Sequence, residues 1–164
     1  ALSANQTFSM VLTRMPNCSK DQWSEAQKAV KFWLLVGCLG LRSNRAAGSV
    51  WPSGDWVPAN ESTLASKLKE LGWHNPVYLA DETLGSTAEI LRKEASNTVS
   101  VRQYFGNAVD GRVPSPIKFK VIRLGDSLRL LILAERGKDQ KFFNGARNAL
   151  GSKPLGTVQW KQLV

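Results

Sequence analysis

The chain has 164 residues, of which 43% are apolar and 21% charged, and its formal net charge is +9. This length and composition suit one domain with a buried core and exclude a wholly disordered chain. No apolar run reaches the roughly 20 residues of a membrane-spanning helix, and the polar first residues lack a basic signal-peptide segment, so we expect no signal peptide and no membrane partner.

The first third of the chain predicts a strand, a helix and a loop, in that order. Residues 6–14 alternate apolar and polar side chains, which is the pattern of a β-strand. A capping-box sequence beginning at Ser19 then opens a helix that runs to about Val36, with its apolar side chains on one face. Three glycines within residues 37–49 end this periodicity and predict a loop.

The middle of the chain predicts short helices. Residues 62–71 and 86–95 carry helix start and stop signals, with Gly72 after the first of them. Residues 99–105 predict a weaker strand. We therefore interpret residues 55–111 as a helical insertion.

The last third predicts a β-hairpin followed by a helix. Residues 117–124 and 128–133 have strong β-strand patterns, and the Gly-Asp pair at 125–126 fits a two-residue turn between them. Residues 138–150 predict a helix, and the segment after it is expected to be a loosely structured tail, so residues 138–164 form a C-terminal helix and tail.

This order of elements predicts a single α+β domain over residues 1–164, in which helices cover one face of an antiparallel sheet. The ferredoxin-like or RRM-like arrangement, with the order β-α-β-β-α-β, is the commonest fold of this kind. We take it as the expected architecture.

The positive charge is concentrated in two separated segments. Residues 1–54 carry six lysines and arginines against two acidic residues, and residues 112–164 carry eleven against three, whereas residues 55–111 carry five against eight. Such a distribution is typical of a surface for a polyanion, and it favours nucleic acid over a membrane. Charge alone leaves an ordinary basic protein as the alternative.

Cysteine and histidine are too few for most metal or disulfide chemistry. The two cysteines, Cys18 and Cys38, show no metal-binding spacing, and His74 is the single histidine. We expect reduced thiols, a cytoplasmic location and neither a metal nor a cofactor.

The segment 37–49 carries the clearest signal of a binding site. Its glycines let the backbone approach a ligand closely, and successive backbone N–H groups can hold an anion. Arg42 and Arg45 supply charged donors for phosphate. The neutral donors are Ser43, Asn44 and Ser49. The segment is not a P-loop, because it lacks the GK[ST] sequence and follows a helix; a glycine-rich turn with two solvated arginines is the alternative.

This segment, GCLGLRSNRAAGS, resembles the glycine-rich loop of the RAMP superfamily, the repeat-associated RNA-binding proteins of CRISPR effector complexes. It departs from the family pattern at Cys38 and Ala46, where the family has glycine, and at Asn44, where it has a basic residue. Residues 1–8 are similar to the family segment that enters the preceding strand. Residues 112–117 are similar to a segment near the family's C-terminal end.

In this order the three segments most resemble the C-terminal module of the two-module RAMP subunit of type III-B complexes. The resemblance covers residues 1–52 and 112–134, and it implies that the chain is one half of a larger assembly unit. It implies a non-catalytic module that holds guide or target RNA and contacts other RAMP-type subunits. Sequence would then be read by base pairing and not by the protein.

The residues assigned to the RNA backbone lie in the loop and in the later basic segment. They are Gly40, Arg42, Ser43, Asn44, Arg45, Gly48, Ser49, Arg112, Lys118 and Lys120. The last two share one face of a predicted strand. No residue is assigned to catalysis.

Two other functions stay open at this point. A metal-independent RAMP-type endonuclease that processes guide RNA would need an acid–base residue such as His74 near the scissile phosphate. An unrelated RNA-binding α+β domain would share the architecture alone. Trp51 and Trp56 follow the loop and could stack on bases, although packing into the core is the favoured interpretation.

Overall fold

The structure is a computed structural model and describes residues 7–39, 44–106 and 113–164. Its helices are α1 (Lys20–Val36), α2 (Glu61–Glu70), α3 (Ala88–Ser96), α4 (Arg102–Phe105), α5 (Gln140–Leu150) and α6 (Pro154–Thr157). Its strands are β1 (Val77–Ala80), β2 (Ile117–Leu124), β3 (Ser127–Ala134) and β4 (Trp160–Gln162). Short 3-10 turns cover Glu82–Leu84 and Asn97–Ser100.

The four strands form one antiparallel sheet in the order β2-β3-β1-β4. Between β1 and β2 the chain passes through α3 and α4, and between β3 and β4 it passes through α5 and α6. This is the β-α-β-β-α-β order of the ferredoxin-like fold, so the predicted fold class is confirmed. Gly125, with φ of 58°, begins the predicted two-residue turn of the β2–β3 hairpin.

One face of the sheet is covered by α3, α5 and α6. Leu91 of α3, Phe143 of α5 and Leu155 of α6 are buried against a sheet surface that includes Phe119 and Ile132. The aromatic rings of Tyr78, Phe143 and Trp160 lie in mutual contact in this layer.

The other face is covered by α2 and the end of α1, which differs from the expected arrangement of helices on one face. Leu35 of α1 and Leu64 and Leu68 of α2 are fully buried against strand residues such as Leu79 and Leu131. The sequence of β3 gives the reason. Its last six residues are all buried, and the five that follow Arg129 are all apolar, as expected of a strand that is covered on both faces.

A buried arginine connects α2 to this second face. The guanidinium of Arg129, on β3, donates to the carbonyl oxygen of Ala80 at 3.0 Å and to carboxylate oxygens of Glu61 at 3.1 Å and Glu82 at 2.8 Å. Lys161 on β4 reaches the second oxygen of Glu61 at 2.6 Å. The nearby positive charges lower the pKa of Glu61, with Lys161 making the largest contribution.

Several local predictions are confirmed and others are wrong. The capping box at Ser19 forms with Gln22, and Gly72 follows α2 with φ of 87°. The helical insertion, however, contains β1, a central strand of the sheet. Its four residues are all buried, so they show no alternation that would identify a strand. Residues 99–105 are helical where a strand was predicted, and the C-terminal tail contains α6 and β4.

The predicted strand at 6–14 does not form over residues 7–14. This stretch forms no regular secondary structure, pairs with no described strand and, with Met15, exposes large apolar side chains. The exposed fractions are 54% for Phe8, 85% for Val11 and 68% for Met15. Alternation gives a segment two distinct faces, but a strand also needs a partner for its backbone groups. We call residues 7–15 the N-terminal arm.

Candidate nucleic-acid interface

Residues 37–39 and 44–49 of the glycine-rich loop are described, and the second part lies along the free edge of β2. The N–H of Ala46 donates to the carbonyl oxygen of Phe119 at 3.1 Å, and the N–H of Phe119 donates to that of Asn44 at 3.1 Å. At the base of the loop, the N–H of Leu39 donates to the carbonyl oxygen of Gly48 at 2.8 Å. The loop therefore continues the hydrogen bonding of the sheet beyond its edge strand.

Two loop positions require unusual backbone conformations. Gly48 has φ of 69°, and a Cβ there would lie 1.8 Å from the carbonyl oxygen of Leu39, so only glycine fits. Ala46 has φ of 60° and is fully buried. The left-handed conformation favours glycine, so alanine at this position is unusual.

Ser49 fixes the loop to the sheet. Its hydroxyl donates to the carbonyl oxygen of Ala46 at 2.7 Å and accepts from the N–H of Val121 at 2.9 Å. The thiol of Cys38 lies 3.5 Å from the same hydroxyl, and burial raises the pKa of Cys38. Ser49, predicted to bind RNA, therefore has its hydroxyl occupied inside the protein.

The side chain of Arg45 also points into the protein. Its guanidinium donates to the hydroxyl of Thr98 and to the carbonyl oxygen of Phe105, and lies 5.7 Å from the Phe105 ring centroid. Burial lowers the pKa of Arg45. The sequence predicted a phosphate ligand at this position, whereas the contacts are those of a residue that joins the loop to the turn before α4 and to the last residue of α4.

Lys120 is fully buried and holds the end of α1. Its ammonium donates to the carbonyl oxygens of Leu34 at 2.5 Å and Gly37 at 2.7 Å. Lys118, two residues earlier on the same face of β2, is exposed. The prediction that both lysines bind RNA is therefore wrong for Lys120, because the end of α1 and Trp51 cover its position but not that of Lys118.

Four of the predicted RNA-binding residues fall outside the described ranges. They are Gly40, Arg42, Ser43 and Arg112. The ends that flank residues 40–43, Leu39 and Asn44, are both held by hydrogen bonds to described residues.

A cleft of about 240 Å³ lies between the loop and α3. Arg45 and Ala47 line it from the loop, and Arg92 and Lys93 line it from α3, together with Glu89. The side chains of Arg92 and Lys93 are exposed, whereas Leu91 and Ala95 on the same helix are buried. The cleft thus brings two solvent-exposed cations beside the segment that the sequence singled out.

Sequence reasoning missed Arg92 and Lys93. They belong to the acidic middle of the chain, and α3 itself carries as many acidic as basic residues, so charge counts do not identify them. The signal that identifies them is periodicity, because both lie outside the buried stripe of α3 that Leu91 and Ala95 define.

Two modes of action have no support in the described residues. Bases cannot stack on the sheet as in an RRM, because α2 and α1 cover that face, and Trp51 and Trp56 pack against the same apolar cluster. Within the described ranges, no group of three or more His, Cys, Asp or Glu side chains is arranged to hold a metal ion. His74 is exposed in the turn after α2 and does not line the cleft.

Comparison with known proteins adds no family assignment: no family model, curated protein or solved structure matches the chain. In the described ranges, every helix is too short or too polar to traverse a lipid bilayer.

Replacing Arg45 with Ala is expected to destabilise the fold. The substitution removes both donors that join the loop to Thr98 and Phe105 and leaves a carbonyl without its partner, which costs roughly 1–3 kcal/mol. Urea denaturation measures this loss. Arg92→Ala, which removes an exposed arginine from the same cleft, is the control and should stay within about 0.5 kcal/mol of the wild type. Equal effects of the two substitutions would contradict a structural role for Arg45.

The burial of Lys120 predicts a specific pH dependence of stability. Burial lowers its pKa from 10.5 to about 8, so between these values the unfolded chain holds a proton that the folded chain has lost. Stability must therefore rise with pH across this window, by up to about 3 kcal/mol in total, and the effect is constant below it.

The comparison variant is Lys120→Met, because the other lysines and tyrosines titrate equally in both proteins. Chemical denaturation at pH 7 and pH 10 should show the wild type gaining stability relative to Lys120→Met as the pH rises. If the stabilities of the wild type and Lys120→Met changed equally with pH, Lys120 would have the pKa of a solvated lysine, which would contradict the prediction.

Proposed function

We propose that this chain is a non-catalytic RNA-binding structural module of a type III CRISPR ribonucleoprotein, and that it holds the backbone of guide or target RNA at the cleft between the glycine-rich loop and α3. The observation that carries the proposal is the position of exposed Arg92 and Lys93 beside a loop that is fixed at both ends. The resemblance of segment 37–49 to the RAMP loop supplies the class of complex.

The electrostatics of the cleft support phosphate as the ligand group. Two exposed cations face the cleft against a single carboxylate, that of Glu89, and the chain carries an excess of nine positive charges. Arginine offers forked donors to phosphate oxygens, and lysine offers a mobile point charge. Contacts of this kind fix the register of a nucleic acid without reading its sequence.

The composition of the cleft favours binding over cleavage. General acid–base cleavage needs two positioned proton-transfer groups near the scissile bond, and Glu89 is the one carboxylate among the described lining residues. Among these lining residues the cationic groups that could bind phosphate outnumber the groups that could transfer a proton, as expected of a non-catalytic scaffold.

The N-terminal arm supports a role within a larger assembly. Residues 7–15 form no regular secondary structure, and Phe8, Met10 and Leu12 recur at every second position with 54%, 46% and 37% of each side chain exposed. An extended segment with exposed apolar side chains can add to the sheet edge of a partner. We infer that the arm is covered by a neighbouring RAMP-type subunit.

Removal of the two exposed cations tests the RNA site. The double substitution Arg92→Ala/Lys93→Ala should weaken binding of single-stranded RNA and flatten the slope of log K against log[salt] by about 0.7 for each lost phosphate contact. Fluorescence anisotropy at several salt concentrations gives the slope.

The matched control is Lys67→Ala/Lys69→Ala, which removes the same charge from the last turn of α2, on the other face of the sheet. It should leave the slope close to that of the wild type. Equal flattening by both double variants would show diffuse attraction without a local site, and an unchanged slope in the α3 variant would remove the cleft from the RNA path.

Substitutions in the arm test the assembly. Phe8→Ser/Leu12→Ser should leave the stability of the isolated chain within about 0.5 kcal/mol of the wild type, because both side chains are substantially exposed. The same variant should lose association with co-expressed RAMP-type subunits in size-exclusion chromatography. Val11→Ser, at an exposed position out of phase with Phe8, Met10 and Leu12, is the control. Normal association of the double variant would exclude the arm as the contact.

A further inference from the structure

A second recess lies in the same helical layer, apart from the cleft. It is a groove of about 530 Å³ between α4 and α5, which is within the usual range of small-molecule sites. None of its lining residues contributes to the cleft at α3.

One wall of the groove is aromatic. The ring of half-buried Tyr104 meets the ring of Phe142 edge to face, with centroids 5.1 Å apart, and the ammonium of Lys138 lies 4.9 Å from the Phe142 ring centroid. These contacts hold the ring in one orientation, and the part of half-buried Tyr104 that lines the groove is the surface on which a planar ligand would stack.

Gly145 explains how the tyrosine reaches the helix. A Cβ at this position would lie 2.6 Å from the hydroxyl oxygen of Tyr104, so a side chain there would push the ring away. Glycine inside a helix is unfavourable relative to alanine. Its presence in the middle of α5 therefore has a local packing reason, which is the close approach of Tyr104.

The other side of the groove is polar. Asn144 and Asn148 are exposed and lie four residues apart, so they share one face of α5. Each amide offers donors and an acceptor side by side. Lys141, one turn earlier, adds a positive charge. The carboxylate of Asp139 also lines the groove, but one of its oxygens accepts from the N–H of Phe142 at 2.9 Å as the helix cap.

We propose that this groove binds a nucleotide, with the base stacked on Tyr104, the edge of the base bonded to Asn144 and Asn148, and the phosphate near Lys141. A planar heterocycle with adjacent donors and acceptors matches the ring and the two amides, and an anion matches the lysine. The ligand can be a free mononucleotide or an unstacked nucleotide within RNA, since both present the same groups.

This site does not depend on the cleft at α3. Arg92→Ala/Lys93→Ala should retain mononucleotide binding, whereas the groove variants should retain the salt slope of backbone binding. A result that contradicts the nucleotide site in the groove would therefore leave the RNA-backbone site in the cleft untouched, and the reverse also holds.

The test is a titration of the full chain followed by NMR of the side-chain amides of Asn144 and Asn148. The four nucleoside monophosphates are the probes, and ribose 5-phosphate and inorganic phosphate are the controls. We expect at least one nucleotide to shift both amides to saturation, while the two controls do not.

Two variants sharpen the result. Isothermal titration calorimetry measures the variants, because the asparagine variant lacks the reporter amides. Asn144→Ala/Asn148→Ala should weaken the binding of that nucleotide by roughly tenfold or more, and Tyr104→Leu should weaken it by a similar factor through the loss of stacking. Gln140→Ala, an exposed position on α5 outside the groove, should bind as the wild type does. The asparagine variant keeps the test valid if Tyr104→Leu fails to fold.

Several outcomes would overturn the proposal. These are an absence of amide shifts with every nucleotide, equal shifts with ribose 5-phosphate, and unchanged nucleotide binding by the asparagine variant. Displacement of the bound mononucleotide by single-stranded RNA would identify a base of an RNA chain as the occupant. Failure of RNA to displace it would identify the free nucleotide.

Discussion

The hydrogen bonding of Lys120 to the end of α1 is the interaction on which the rest of this structure depends. The last carbonyls of a helix have no partners within it and lie at the negative end of the helix dipole. Lys120 supplies a positive charge to two of these carbonyls from the middle of β2. This fixes Gly37, where the loop begins, while the neighbouring Phe119 pairs with Asn44 and Ala46 further along the loop.

The burial of Lys120 disfavours its charged form, and the pKa of the lysine shows this. Burial favours the neutral amine and lowers the pKa of Lys120 to about 8, although its two carbonyl partners suit the charged form. Arg45 and Arg129 are, like Lys120, cations whose charged groups bond to internal oxygens. A count of basic residues therefore overstates the surface available for a polyanion.

Because helices cover both faces of the sheet, the two recesses described above lie on the helices and not on an open sheet surface. Helix α2 and the end of α1 cover the sheet face that an RRM uses to bind RNA, and leucines of both helices pack against it. The exposed faces of α3 and α5 stay available, and the cleft beside Arg92 and the groove beside Tyr104 both lie there. The two recesses differ in chemistry, because the first is mainly cationic and the second combines aromatic and amide groups.

The sequence by itself determined the elements whose signals are local. The capping box at Ser19, the turn at Gly125 and the strand pattern of residues 117–124 each depend on neighbours within a few positions, and the α+β class followed from their order. The pattern did not predict the central strand β1, because burial on both faces removes the alternation that identifies a strand. Residues 7–14 were wrongly predicted as a strand, because their side chains alternate but the backbone has no partner strand among the described residues.

Only the tertiary structure decided which cations face inward. Arg45 finds its acceptors 53 and 60 residues further along the chain, and Lys120 finds its own 86 and 83 residues earlier. A charged side chain looks the same in a sequence whether it meets water or a buried carbonyl. Its role is determined by the acceptors that the fold brings to it, and no local pattern records them.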